Sequence, residues 1–143
     1  MPTIKKRHNS IATATKRRKD GAQGISEKSL HKQIAQYLTM VIRPPSFWQT
    51  VEVSNNRGGV QASYNQRERK EKGVITGYPD IEIFWRGEFE NTKLVCLEIK
   101  IPGEKAKPHQ EEIHMWLRVL GHQVYVVHSI DEVTATLKKV GII

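Results

Sequence analysis

Apolar and polar positions alternate between two periods along this chain, and the switches mark out its elements. Ser26 opens a helical pattern in which Leu30, Ile34, Tyr37, Leu38 and Val41 recur on one face, with Glu27 in the first turn. Pro44-Pro45 stops it. Phe47–Val53 is β-rich and half-alternating, a first strand, and Ser54–Gly59 is a strong turn signal. The stretch from there to Gly73 is polar and long for a compact domain, with room for a short helix at Asn65–Lys72 closed by Gly73. Asp80–Trp85 reads as a second strand, Arg86–Thr92 as a hairpin loop and Lys93–Lys100 as a third strand. The last is apolar on both faces until Glu98, which predicts a central position. Ile101-Pro102-Gly103 breaks it and Glu104–Lys107 makes a basic-leaning loop. Pro108 then starts a helix whose apolar face is expected to be Ile113, Trp116, Leu117 and Leu120, closed by Gly121. Gln123–His128 is a fourth strand, and Ile130–Val140 a closing helix with Val133, Leu137 and Val140 inward. The order helix–strand–strand–strand–helix–strand–helix predicts an α/β fold, a central mixed sheet flanked by helices.

Charge changes the picture at one end. The formal net charge is +8 over 143 residues, and the first twenty hold seven basic side chains against Asp20, six of those eight charges. Met1–Gly24 has no apolar period and reads as a basic arm, mobile in isolation, ahead of a single domain at 25–143. A basic cluster of this kind points to a polyanion, nucleic acid in the first place. An anionic membrane is the competing partner, but no amphipathic or spanning segment supports it. The Lys-Arg-Arg-Lys run also matches a nuclear localisation pattern of low specificity. The phosphate-gripping candidates are Lys16, Arg17, Arg18 and Lys19 in the arm, and Arg57, Arg67, Arg69, Lys70 and Lys72 in the polar connection. Tyr64, in that connection, is placed either to stack on a base or to anchor the loop.

Other classes lack their signatures. The lone Cys96, inside an apolar run, reads as a buried thiol and excludes a disulfide framework or a cysteine zinc cluster. The six histidines form no recognisable ligand set, and His109 and His114 are five apart, wrong for a helical zinc pair. There is no Walker loop, dinucleotide fingerprint or nucleophile elbow. With no secretory apolar region ahead of a cleavage site, the expected location is intracellular.

The chemistry concentrates in Gly73–Lys100. A Gly77-Tyr78-Pro79-Asp80 turn delivers Asp80 to the head of one strand, and Glu98 and Lys100 lie two apart on the next. Residues i and i+2 of a strand share a face, about 6.5–7 Å apart. Glu98 and Lys100 should therefore point one way, and Leu97 and Ile99 the other. Carboxylates on neighbouring strands repel unless a cation lies between them, and Mg²⁺ suits that place because it prefers oxygen ligands and keeps waters for chemistry. A lysine beside it holds an attacking water or stabilises developing charge on phosphorus. This is a layout for metal-assisted phosphodiester hydrolysis. An edge-strand ion pair between Glu98 and Lys100, with Asp80 merely capping a turn, accounts for the same residues. Glu82 shares Asp80's face and is expected in a cross-strand salt bridge rather than as a further ligand. Glu27 suits the helix dipole. Gln110, in the first turn of its helix, is placed either to meet a phosphate or water or simply to stay exposed.

Pro79-Asp80 followed by Glu98-Ile99-Lys100 resembles the PD-(D/E)XK nuclease superfamily, and more closely its VRR-NUC branch, the small stand-alone members typical of bacteriophages. The likeness runs from about Ser26 to Val133, taking in Gly77–Asp80, the Glu98 strand, Gln110 and the late Gly121–Ser129 strand. It implies a PD-(D/E)XK-like core (αβββαβ) and a metal-dependent endonuclease acting on DNA. Asp80 and Glu98 would bind Mg²⁺ or Mn²⁺, aided by the Ile99 carbonyl and by Glu27. Lys100 would orient the water and Gln110 assist it. His31 stands where relatives often carry glutamine. No base-reading helix is evident, so the expected specificity is for DNA shape, such as a flap, branch or four-way (Holliday) junction, in replication, recombination or repair. Some relatives resemble dimeric resolvases, which suggests a homodimer. A phage-encoded member works in the cytoplasm of a bacterial host. A non-catalytic nucleic-acid-binding module with the same fold, and a basic ribosome- or virion-associated protein, remain open alternatives.

Overall fold

The computed structural model describes residues 24–51, 67–87 and 92–143. The basic-arm candidates Lys16, Arg17, Arg18 and Lys19, together with Arg57, Tyr64, the end of the expected first strand and most of the hairpin loop, lie outside these residues. Helix α1 spans Glu27–Val41, strand β1 Phe47–Thr50, and a helical segment at 67–71 is α2. Strands β2, Ile81–Arg86, and β3, Thr92–Ile99, follow; helix α3 is Pro108–Val119, strand β4 Gln123–Val127, and helix α4 Ile130–Val140.

The four strands form one mixed sheet in the order β1-β2-β3-β4. β1 to β2 and β2 to β3 are antiparallel, and β3 to β4 is parallel. A parallel neighbour needs a crossover, which α3 supplies. β3 lies inside the sheet, and its last five residues are buried, as its two-faced apolar run predicts.

Alternation along β2 and β3 divides the core. Ile81, Ile83 and Trp85, with Val95, Leu97 and Ile99, face α1 and α4, where Leu30, Ile34, Leu38, Val133 and Leu137 complete the larger cluster. The other face of β3 places Cys96 against Val124 of β4 and Ile113 and Leu117 of α3. Helices therefore cover both sides of the sheet, the expected α/β arrangement. α1 begins as anticipated: the Ser26 side chain accepts from the Ser29 N–H at 3.1 Å. α4 ends at Gly141, which takes the left-handed conformation at φ 82°.

One expectation about packing is corrected. In α3 the inward positions are Ile113, His114 and Leu117, whereas Trp116 and Leu120 are 53% and 72% exposed. The helix is turned about one position from the phase its largest apolar residues suggest. The residue it buries in their place is a histidine that faces Glu98.

Candidate active site

The sheet's pleat and two turns bring the catalytic candidates together at the floor of a cleft of about 1020 Å³. Glu27, Asp80, Glu82, Lys100 and Gln110 line it, with Arg69, Lys105, Lys107 and His109 on its walls. Glu98 is fully buried just beneath.

Asp80 arrives on the turn before β2. Gly77 makes that turn possible: its φ is 89°, and a β-carbon there would lie 2.8 Å from the His109 carbonyl oxygen. The turn thus packs directly on the start of α3. Asp80 Oδ2 accepts a 2.7 Å hydrogen bond from the Ile99 N–H, which ties it to the strand that carries Glu98. Burial raises the Asp80 pKa first, and the nearby Glu98 charge raises it further; the Ile99 N–H and Lys100 offset part of this.

Glu98 and Lys100 lie on the same side, as their spacing requires. Lys100 Nζ is 2.7 Å from Glu98 Oε1, with both side chains almost wholly buried, and 3.9 Å from Glu27 Oε2. Burial by itself disfavours the Lys100 ammonium, but the Glu98 hydrogen bond and charge, then Glu27 and Asp80, outweigh it, and the net shift is upward. Lys100 is therefore a charged donor, not a base. Glu98 is raised, first by burial, with Lys100 pulling it part of the way back.

Gln110 joins the helix to this pair. Its Oε1 accepts from the Lys107 N–H at 2.9 Å, capping α3, and its Nε2 donates to Glu98 Oε1 at 2.6 Å. It is an anchored side chain rather than a merely exposed first-turn residue. Glu27 faces the cleft from the first turn of α1 and is half exposed. His31 is engaged elsewhere, with Nε2 3.2 Å from Thr50 Oγ1.

Glu82 corrects an expectation. It is held by two neutral donors, Gln49 Nε2 across the strand pair at 2.6 Å and the Tyr78 hydroxyl at 2.5 Å, and among the described residues no salt bridge to it is seen. Burial and Glu82 push the Tyr78 pKa upward, so the phenol remains a donor. Among the basic candidates Arg69 reaches the cleft. Arg67 and Lys72 are paired with Glu71 and Glu68 along α2, at 3.2 and 2.7 Å, in exposed contacts worth little to the fold. Lys105 and Lys107, on the loop before α3, are cleft residues that reasoning from the sequence left as loop charge.

The missed residue is His114. It is 1% exposed, and its Nε2 lies 3.5 Å from Glu98 Oε2. Burial, then the charges of Arg118 and Lys100, lower its pKa, so the ring is neutral. A signal was available: Gln110, Ile113, His114 and Leu117 fit the i, i+3, i+4, i+7 helical template.

Among the described residues no three His, Cys, Asp or Glu side chains stand close enough to hold a metal ion as they are placed. The donor chemistry nonetheless suits a divalent cation. When ionised, Asp80, Glu98 and Glu27 carry three negative charges against the single positive charge of Lys100, and no hydrogen bond to the second Asp80 oxygen is seen among the described residues.

No family model matches the chain. Over 41 residues, 29% of the chain, it is 49% identical to "Putative nuclease p44" of Acyrthosiphon pisum secondary endosymbiont phage 1, and the match spans 44% of that protein. A solved structure described as a VRR_NUC domain protein superposes with a TM-score of 0.60 at 20% identity, covering 83% of this chain and 90% of that one. The chain has the fold of a VRR-NUC domain, the branch to which Pro79-Asp80 and Glu98-Ile99-Lys100 pointed.

Proposed function

We propose that this protein is a divalent-metal-dependent DNA endonuclease. The observation that carries the reading is the Lys100 ammonium 2.7 Å from Glu98, with Asp80 tied to the same strand end, at the floor of an open cleft. The fold and the partial likeness to a phage nuclease support it.

Asp80 and Glu98 would hold Mg²⁺ or Mn²⁺, with the Ile99 carbonyl and Glu27 as further oxygen donors. When bound, the cation neutralises the carboxylates, polarises the phosphodiester and lowers the pKa of water. The chain's own groups do the rest. Lys100, held charged by its neighbours, donates to the attacking water or to a phosphoryl oxygen where negative charge develops. It has no free lone pair, so the proton of the water leaves by another route. Gln110 holds Glu98 Oε1 and limits the swing of that carboxylate. Arg69, Lys105 and Lys107 meet the flanking phosphates, helped by the basic arm and the remaining cations of the 57–72 connection. Most of this grip is electrostatic, so binding weakens steeply with salt.

With no base-reading element evident, the preferred substrate is a DNA shape: a flap, a branch or a four-way junction met in recombination or repair. One catalytic set per chain favours a homodimer on a symmetric junction. No helix among the described residues is long and apolar enough to cross a membrane. The phage likeness favours the cytoplasm of a bacterial host as the place of action.

The test is a cleavage assay with Mg²⁺ on duplex, nicked, flap and four-way substrates, comparing wild type with Lys100→Ala. The reading expects metal-dependent cutting by the wild type, strongest on branched DNA, and loss of it in the variant. DNA bound but left uncut by both proteins leaves a binding module and defeats the enzyme.

A further inference from the structure

Glu98 has one oxygen for which the chemistry above supplies no role. Its Oε1 takes the bonds from Lys100 and Gln110, both of which line the cleft. Its Oε2 is sealed from solvent with no hydrogen-bond partner, and a buried carboxylate oxygen left in that state is costly. Facing it at 3.5 Å is Nε2 of His114, itself sealed and unpartnered. One orphan sits on β3 and the other on α3, and each is the nearest remedy for the other.

We propose that His114 is a positioning residue for the cleft. With its proton on Nε2 it donates to Glu98 Oε2 and so fixes the carboxylate with Oε1 turned toward Lys100. The inference rests on the reading of Glu98 as a cation ligand.

Spacing on the helix explains why these two residues act together. Gln110 and His114 are four apart and share one face of α3, Gln110 meeting Oε1 and His114 facing Oε2. A carboxylate held at both oxygens cannot rotate about its last bond, so its outer oxygen is presented in one orientation. An apolar side chain would fill the same volume, and packing alone gives no reason for an imidazole between Ile113 and Leu117. In α3 Trp116 is instead exposed and His114 is buried. His114 also borders a second, smaller depression with Lys105, Arg118 and His128, which lies on the side of the sheet that α3 covers. His114 makes no contact with substrate. Its effect passes through Glu98.

Two variants and one spectrum test this. His114→Leu removes the donor and keeps the bulk, whereas His114→Gln keeps an N–H of comparable reach. Mn²⁺ affinity, measured by titration calorimetry without DNA, should fall about 10–100-fold in the leucine variant, the loss typical of an outer donor to a metal ligand. In the glutamine variant it should stay close to wild type. No loss in the leucine variant, or equal loss in both, overturns the proposal. Should the leucine variant not fold, ¹⁵N imidazole spectra of the wild type decide. They should show the Nε2–H tautomer at His114, with its resonance displaced in Glu98→Gln, and the Nδ1–H tautomer would overturn the assignment. A wild type that binds no Mn²⁺ defeats the cation reading of the cleft, and the tautomer then decides the role of His114 on its own.

Discussion

Replacing Lys100 with methionine keeps most of the side chain's bulk and removes the ammonium 2.7 Å from Glu98 Oε1. Glu98 is then a buried carboxylate whose one remaining donor at that oxygen is the Gln110 amide, 2.6 Å away. Burial decides the magnitude. Exposed ion pairs contribute about 0–1 kcal/mol. Here the side chains are 7% and 1% exposed, so the relevant class is the broken buried pair, which costs about 3–5 kcal/mol because a charge is left uncompensated. Glu98 can escape part of this by taking up a proton. Burial already holds its pKa above the ordinary carboxylate range, and losing Lys100 raises it further. A carboxylate with a raised folded pKa costs stability only above its unfolded value, and the cost is complete above its folded one. The deficit should thus be largest at neutral pH and shrink under mildly acidic conditions. Adding Glu98→Gln removes the stranded charge and should recover most of the loss. Urea unfolding followed by circular dichroism, for the single and double variants at both pH values, measures all of this. A single-variant loss below about 1 kcal/mol, the exposed-pair range, would show that the pair is not a buried one in energetic terms. So would a double variant no more stable than the single one.

Other parts of the architecture give their own tests. Asp80→Asn keeps an oxygen to accept from the Ile99 N–H while removing a charge that burial disfavours, so stability should stay within about 1 kcal/mol of wild type while calorimetric Mn²⁺ binding is lost. A large drop in stability would instead favour a purely structural Asp80. Gly77→Ala forces a β-carbon against the His109 carbonyl at a φ of 89°, and should cost at least about 1–2 kcal/mol from the left-handed conformation alone. Thermal unfolding unchanged from wild type would contradict the close approach. His128 places its ring nitrogens 2.9 Å from the Glu104 carbonyl oxygen and 3.0 Å from a Glu132 carboxylate oxygen, and these partners, Glu104 foremost, raise its pKa above 6.5. Its stabilising effect is therefore complete below the unfolded value and lost as pH rises through the higher folded one. His128→Gln should flatten the stability–pH slope over that window, and an unchanged slope would contradict the contact.

Much of this molecule can be read from local rules. The starts and ends of β2, β3 and β4 fall within a residue of their expected places, because Pro, Gly and the apolar alternation act locally, whereas β1 ends at Thr50, short of the expected Val53. The shared face of Glu98 and Lys100 follows from strand geometry alone, as does the division of Leu97 and Ile99 from them. Reading failed where a tertiary partner outweighed hydrophobicity. Trp116 and Leu120 are large apolar choices for the inner face of α3, yet both are exposed, and the helix buries His114 facing Glu98. Glu82 invited a salt bridge because parity identifies a neighbouring strand position but not its occupant's chemistry; the occupant is Gln49, with Tyr78 beside it. The second role of Gln110 as cap to Lys107 lay equally beyond the pattern, since it depends on where α3 docks.

The proposed chemistry depends on a cation seat shared by Asp80 and Glu98 beside Lys100. Anomalous diffraction from crystals of the wild type grown with Mn²⁺ tests it directly. A single strong peak, or a close pair, is expected at the floor of the cleft in contact with both carboxylates. At saturating Mn²⁺, a map with no peak there, or with the ion on surface carboxylates alone, would contradict it.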